Sequence, residues 1–128
     1  MQNLNIVDHN GEVMTDLSGN PWVVHTPLIA WIANYPEQLL IACMSSKNSP
    51  ISTAIAKEFG NLEPSSPHLQ QQTLDAIQEA CQACDPYDIA TFHKVCLSLC
   101  LNGIMQSFWD DWGNACPSLF LMPDALHQ

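Results

Sequence analysis

The chain has 128 residues, which sets the expectation of a single domain over 1–128, and its 47% hydrophobic content is ordinary for a globular protein. Three lysines (Lys47, Lys57, Lys94), no arginine and thirteen acids leave a formal net charge of −10. Nucleic-acid affinity comes from Lys and Arg neutralising backbone phosphates, so this balance argues against autonomous DNA or RNA binding and suits a basic protein partner better.

Leu4-Asn5-Ile6-Val7 alternates in the manner of a strand. His9-Asn10-Gly11-Glu12 supplies an Asn-Gly hairpin turn, and Val13-Met14-Thr15 is placed to return antiparallel. Leu17 to Pro21 reads as a second turn leading into the β-rich run Trp22 to Thr26, so the first third is expected to be a short β-meander.

Pro27 to Met44 is the most apolar stretch and is expected to be core. Asn34, Pro36, Glu37 and Gln38 interrupt it well short of the about 20 apolar residues that a membrane span needs, so no membrane association is expected. Leu28 to Ala33 suits a buried strand, and Pro36-Glu37-Gln38 the first turn of a helix with Pro at N1 and an acid at the positive end of the dipole. Asn34 therefore sits at a strand end, where functional side chains of open α/β sheets collect.

Three capping residues followed by proline then announce helices. Ser49-Pro50 opens one through Ile55 and Phe59 that Gly60 stops; Ser66-Pro67 opens one through Leu74, Ile77, Cys81 and Cys84; Asp85-Pro86 opens one through Ile89, Phe92, Cys96 and Cys100, with Gly103 as the C′ residue. The last two form an αα-hairpin. Phe108 to Gly113 is an aromatic turn, Leu119 to Leu121 a short apolar stretch, and Pro123 to Gln128 the first turn of a helix without a body, which suggests a fragment of something longer. The fold class expected is α+β, a short β-meander packed against a helical hairpin.

Two clusters carry candidate chemistry. Cys81, Cys84, Cys96 and Cys100 fit a tetrahedral zinc site in number, but their i,i+3 and i,i+4 spacing on apolar helix faces fits small core residues better. Asp110-Asp111, with Asp124 and His127, offers carboxylates and an imidazole for a divalent metal; a solvated turn and a first-turn acid are the plainer alternatives. With no positively charged segment leading into an apolar one at the N-terminus, the expected location is intracellular, the nucleus included, and the six cysteines are expected as free thiols.

Read as one string, Val13-Met14-Thr15-Asp16 through Asn20 and Thr26-Pro27-Leu28-Ile29-Ala30-Trp31-Ile32-Ala33-Asn34-Tyr35-Pro36-Glu37-Gln38 resemble Plavaka-type transposases of fungal CACTA-like elements. Ser49 to Ala54, Lys57 to Gly60, Asp85 to Asp88, Leu101 to Gly103, Phe108-Trp109-x-Asp111-Trp112 and Pro123-Asp124-Ala125-Leu126-His127 continue the resemblance in order. It implies part of an RNase H-like core, in which three acids hold two magnesium or manganese ions for DNA strand transfer. The resemblance also implies an acid at position 34, where this chain has Asn34, and a Cys-x-x-Cys pair after the central stretch, where Cys43 stands alone. Asp124 is then the candidate catalytic acid, Asn34 a disabled one, and Asp111, Asp124 and His127 the candidate metal set. The expected protein is an inactive relic that binds no metal as it stands, the other acids belonging to the remainder of a longer transposase chain. The alternatives are an acidic interaction module and the cysteine zinc domain.

Overall fold

In the computed structural model the described residues are 4–113 and 115–123. Helices α1 (Leu4–Asn10), α2 (Tyr35–Ile41), α3 (Gln70–Ala83), α4 (Ile89–Ser98) and α5 (Pro117–Phe120) combine with strands β1 (Glu12–Thr15), β2 (Pro21–Val24), β3 (Trp31–Ala33) and β4 (Leu121–Pro123). The strands form two separate pairs, β1 antiparallel to β2 and β3 parallel to β4. The class is α+β, with several helices and short sheets.

The expected meander is corrected at its start. Leu4 to Asn10 is a helix, and Gly11 at φ +70° is its C′ residue, its N–H bonding the Val7 carbonyl at 2.9 Å. A type I′ turn and a helix C-cap both demand positive φ, so Asn10-Gly11 serves either. What decides is docking: the His25 ring donates Nδ1–H to the Asp8 carbonyl at 2.9 Å, Thr26 Oγ1 donates to the Leu4 carbonyl, and the Gly113 N–H donates to the Asp8 carboxylate. A Cβ at Gly11 would come within 2.6 Å of Val23 Cγ1, so the close approach to β2 needs glycine as well.

The hairpin instead turns through Asp16 to Asn20. One Asp16 carboxylate accepts from Ser18 N–H, Asn20 N–H, the Asn20 amide and the Trp22 indole, at 2.8 to 3.1 Å. These bonds to the ionised form hold the Asp16 carboxyl down at about 2.

Only part of the central apolar stretch, mostly its second half, is core. Gln38, Leu39 and Ile41 through Ser45 are buried, but in β3 only Ala33 is, Trp31 and Ile32 being exposed. The strand is also shorter than the expected Leu28 to Ala33. The best-buried large side chains are Trp109, Phe120, Leu101, Cys43 and Cys96. Trp109 donates its indole N–H to the Ile41 carbonyl at 2.7 Å, satisfying the C-terminus of α2.

Helices α2 and α4 end alike. Met44 N–H bonds Leu39 O while Cys43 N–H bonds Leu40 O; Leu101 N–H bonds Cys96 O while Cys100 N–H bonds Leu97 O. Both are Schellman caps, with Cys43 (φ 62°) and Cys100 (φ 64°) in the left-handed conformation that usually goes to glycine. Their C″ residues, Met44 and Leu101, pair antiparallel, and Ser45 N–H to Cys100 O and Asn102 N–H to Cys43 O join the two caps. Gly103 (φ 96°) is therefore not the C′ residue of α4.

Two of the three expected helix starts move and one disappears. Ser49 Oγ does accept from the Ile51 and Ser52 N–H groups, but the chain then pairs with itself across Asn48 and Ile55, and only a 3-10 turn at Ala56–Glu58 precedes Gly60. The Ser66 carbonyl accepts from both Thr53 N–H and Thr53 Oγ1, a cross-loop pairing that postpones α3 to Gln70. Asp85 turns the chain by accepting from Tyr87 N–H, and Asp88 is the residue that caps α4, through Thr91 N–H and Thr91 Oγ1. The αα-hairpin of α3 against α4 is present as expected.

Candidate functional site

The site begins where β3 hands over to α2. Asn34 is the N-cap of α2: its Oδ1 accepts from the Glu37 N–H at 3.0 Å with its own backbone extended (φ −70°, ψ 165°). The Gln38 amide, buried, donates to the Ala33 carbonyl at 2.8 Å and ties the helix back to the strand end. The Trp31 indole donates to Glu37 Oε1 at 3.2 Å, and the Tyr35 hydroxyl donates to the Asn48 carbonyl at 3.0 Å. Pro36 lies in the first turn, where a missing N–H costs nothing. Each polar member of Asn34-Tyr35-Pro36-Glu37-Gln38 thus has a definite local task.

β3 runs parallel to β4 in the register Trp31 to Leu121, Ile32 to Met122 and Ala33 to Pro123. The two strands end side by side, and the next residues of the chain are Asn34 after one and Asp124 after the other. Trp31 and Phe120 flank Phe108, with ring centroids 5.1 and 6.5 Å from it, so the aromatic turn packs against β3 and the end of α5 that leads into β4.

The remaining expected site residues lie apart from this junction or outside the description. Asp124 and His127 are outside the described residues, as is the expected helical turn that contains them. Asp110 and Asp111 are exposed and line an open hollow of about 510 Å³ with Ile6, His9 and Asn10. Asn34 is not among its walls.

Of the four cysteines expected inside helices, only Cys81 and Cys96 are, Cys84 and Cys100 lying just past the ends of α3 and α4; Cys96 is buried, Cys81 and Cys84 are half-buried, and Cys100 is exposed. Burial, then the neighbouring Cys81 and Cys84, pushes the Cys96 thiol up; Cys43, wholly enclosed, is pushed up to about 12 by burial. Such thiols resist the deprotonation that a metal ligand needs. The Cys84 Sγ–H points at the Ala80 carbonyl, 3.6 Å away. Among the described residues no three His, Cys, Asp or Glu side chains gather into a group able to hold a metal ion. The described donor set therefore does not fit the two divalent ions that the resemblance implies.

Sequence reading missed a role for His68 beside Cys116. Its carbonyl accepts from Cys116 Sγ and from Ser118 Oγ at 2.8 Å, and its buried Nε2 has no hydrogen-bond partner. Burial holds the His68 imidazole below its ordinary value, with a bond to the Ser49 backbone acting the other way. No spacing signal in the chain marks this, because the contact spans 48 residues.

The fold is α+β, with a parallel strand pair whose ends are followed in the chain by Asn34 and Asp124. The family model described as Plavaka transposase matches residues 1–128, and the chain belongs to that family. It matches no curated protein and no solved structure. No helix among the described residues is long and apolar enough to cross a membrane.

Proposed function

We propose that this transposase-family domain is part of an RNase H-like strand-transfer core and that, as it stands, it does not cut DNA. The observation that carries the reading is the β3 to β4 register. In parallel sheets functional groups collect at the carboxyl ends of adjacent strands, and positions 34 and 124 follow two such ends directly. With an acid at both, they would form half of a divalent-metal site. The amide of Asn34 is uncharged, and its oxygen is already used in capping α2. Further acids would come from the remainder of a longer transposase chain, which is the partner this reading requires. The absence of arginine removes the best phosphate clamp, and a charge of −10 repels DNA from the domain.

The test is direct. The purified chain, with magnesium or manganese, should neither nick nor join DNA nor bind it at physiological salt. Asn34→Asp should raise manganese affinity, and Asp124→Ala in that background should abolish the gain. Metal-dependent cleavage by the unaltered chain, lost on Asp124→Ala, would overturn the reading. A second reading, an acidic interaction module, draws on the exposed Asp75, Glu79, Asp85 and Asp88 of the α3 to α4 hairpin. Among the described residues these acids form no ion pairs, and a basic protein is the partner they suit.

A further inference from the structure

Lys47 and Lys57, two of the three cations of the chain, line one cavity of about 600 Å³. None of the acids among the described residues contributes to its wall. Its apolar side is made by Ile55, Ala56, Leu97 and the exposed Cys100 of the α4 cap. The cationic loop is held by its backbone: Ala56 N–H bonds the Lys47 carbonyl at 2.8 Å, Ser49 N–H bonds Ala54 O at 2.9 Å, and Asn48 pairs with Ile55 between them. Glu58, the acid adjacent to Lys57, is turned back to accept from the Ile55 N–H at 3.1 Å. Among the described residues neither lysine has a carboxylate partner.

We propose that this cavity is a binding site for a small phosphate monoester carrying an apolar body, and that it is independent of the strand-end site. Two ammonium groups match the about −1.5 to −2 charge of a phosphate monoester at neutral pH. The volume lies within the about 300–1,000 Å³ usual for small-molecule sites, and the wall of Ile55, Ala56 and Leu97 takes the apolar part. The rest of the protein selects for size. At physiological salt, charges beyond about 8 Å are largely screened, so a compact anion meets chiefly the two lysines. A polyanion spans more of the acidic surface and is repelled by it. The ligand is accordingly a free small molecule rather than a nucleic-acid strand.

Calorimetric titration of the full chain tests this with four probes: phenyl phosphate, AMP, inorganic phosphate and a short 5′-phosphorylated single strand of DNA. Phenyl phosphate or AMP should bind, inorganic phosphate about tenfold more weakly, and the oligonucleotide most weakly of all. Lys47→Gln and Lys57→Gln, at exposed side chains, should each weaken phenyl phosphate and AMP about tenfold, whereas Lys94→Gln outside the cavity should leave them unchanged. Cys100, the most exposed of the six cysteines, reports occupancy, and bound phenyl phosphate should slow its reaction with a thiol reagent. No binding by either organic phosphate would overturn the proposal. So would inorganic phosphate binding as tightly as they do, an equal loss with Lys94→Gln, unaltered Cys100 labelling, or tightest binding by the oligonucleotide.

Discussion

Trp109→Phe isolates one hydrogen bond at the centre of the protein. The Trp109 side chain is wholly enclosed, and its indole N–H is 2.7 Å from the Ile41 carbonyl in the last turn of α2. That carbonyl has no intrahelical partner, and among the described residues its one other donor is the weak Cys43 Sγ–H at 3.8 Å. Phenylalanine keeps most of the ring packing and removes the donor, leaving a buried carbonyl with only the weak Cys43 Sγ–H contact at a cost of about 1–3 kcal/mol. The smaller ring adds about 1 kcal/mol of lost packing. A total of about 2–4 kcal/mol is a large share of the about 5–15 kcal/mol typical of a domain. With a urea slope of about 2 kcal/mol/M it lowers the unfolding midpoint by about 1–2 M. Far-UV circular dichroism is the suitable signal, because removing a tryptophan alters fluorescence directly. Trp112→Phe is the control: Trp112 is half-buried and its indole N–H has no partner among the described residues. Equal midpoints for the two variants, or a loss below about 0.5 kcal/mol for Trp109→Phe, would refute the claim that this bond secures the end of α2.

Three more expectations follow from local geometry. Asn34→Ala should cost about 1 kcal/mol in thermal or urea unfolding as a lost N-cap, while Asn34→Asp should be nearly neutral because both residues cap well; equal losses would contradict the capping role. Cys100→Gly should gain about 0.5–1 kcal/mol by relieving a left-handed residue at an exposed position, whereas Cys43→Gly, which also deletes a buried thiol, should not gain; the comparison is read from paired urea melts. Stability should fall on acidification in two windows: His68, held low, contributes fully above its ordinary value of about 6.5 and loses that contribution as pH falls through its lowered folded value, so His68→Gln should flatten the fall that begins below about 6.5. Asp16, with its carboxyl at about 2, contributes above the ordinary carboxylate range and loses this as pH approaches 2, which backbone hydrogen exchange in β1 and β2 should report.

Legibility tracked how local each decision was. The αα-hairpin and the proline-bearing first turn of α2 rest on periodicity and φ preferences within a few residues, and both were readable, whereas the helix that Gly60 was expected to stop does not form. The family resemblance was readable too, because it depends on the order of short motifs along the chain. Leu4 to Val7 was misread because alternation over four residues fits a strand or a helix equally. Contacts from His25, Thr26 and Gly113, more distant in the chain, settle it as α1. Ser66 and Asp85 have the composition of N-caps, but Thr53 captures the Ser66 carbonyl and Asp85 makes a turn that leaves the capping to Asp88.

The sequence by itself determined the charge, the family, and an Asn where the resemblance implies an acid, since these are properties of residues and their order. Only the tertiary structure decided that β3 pairs with β4 across about ninety positions, bringing the strand ends at Ala33 and Pro123 together. It also decided that Cys43 and Cys100 adopt the conformation of glycine: each cap closes on its own helix, and the carbonyls of Cys43 and Cys100 then accept from Asn102 N–H and Ser45 N–H of the other cap, a reciprocal arrangement that no local preference encodes. Long-range pairing costs loop entropy that only burial of the whole core repays, so such features emerge only in the assembled fold.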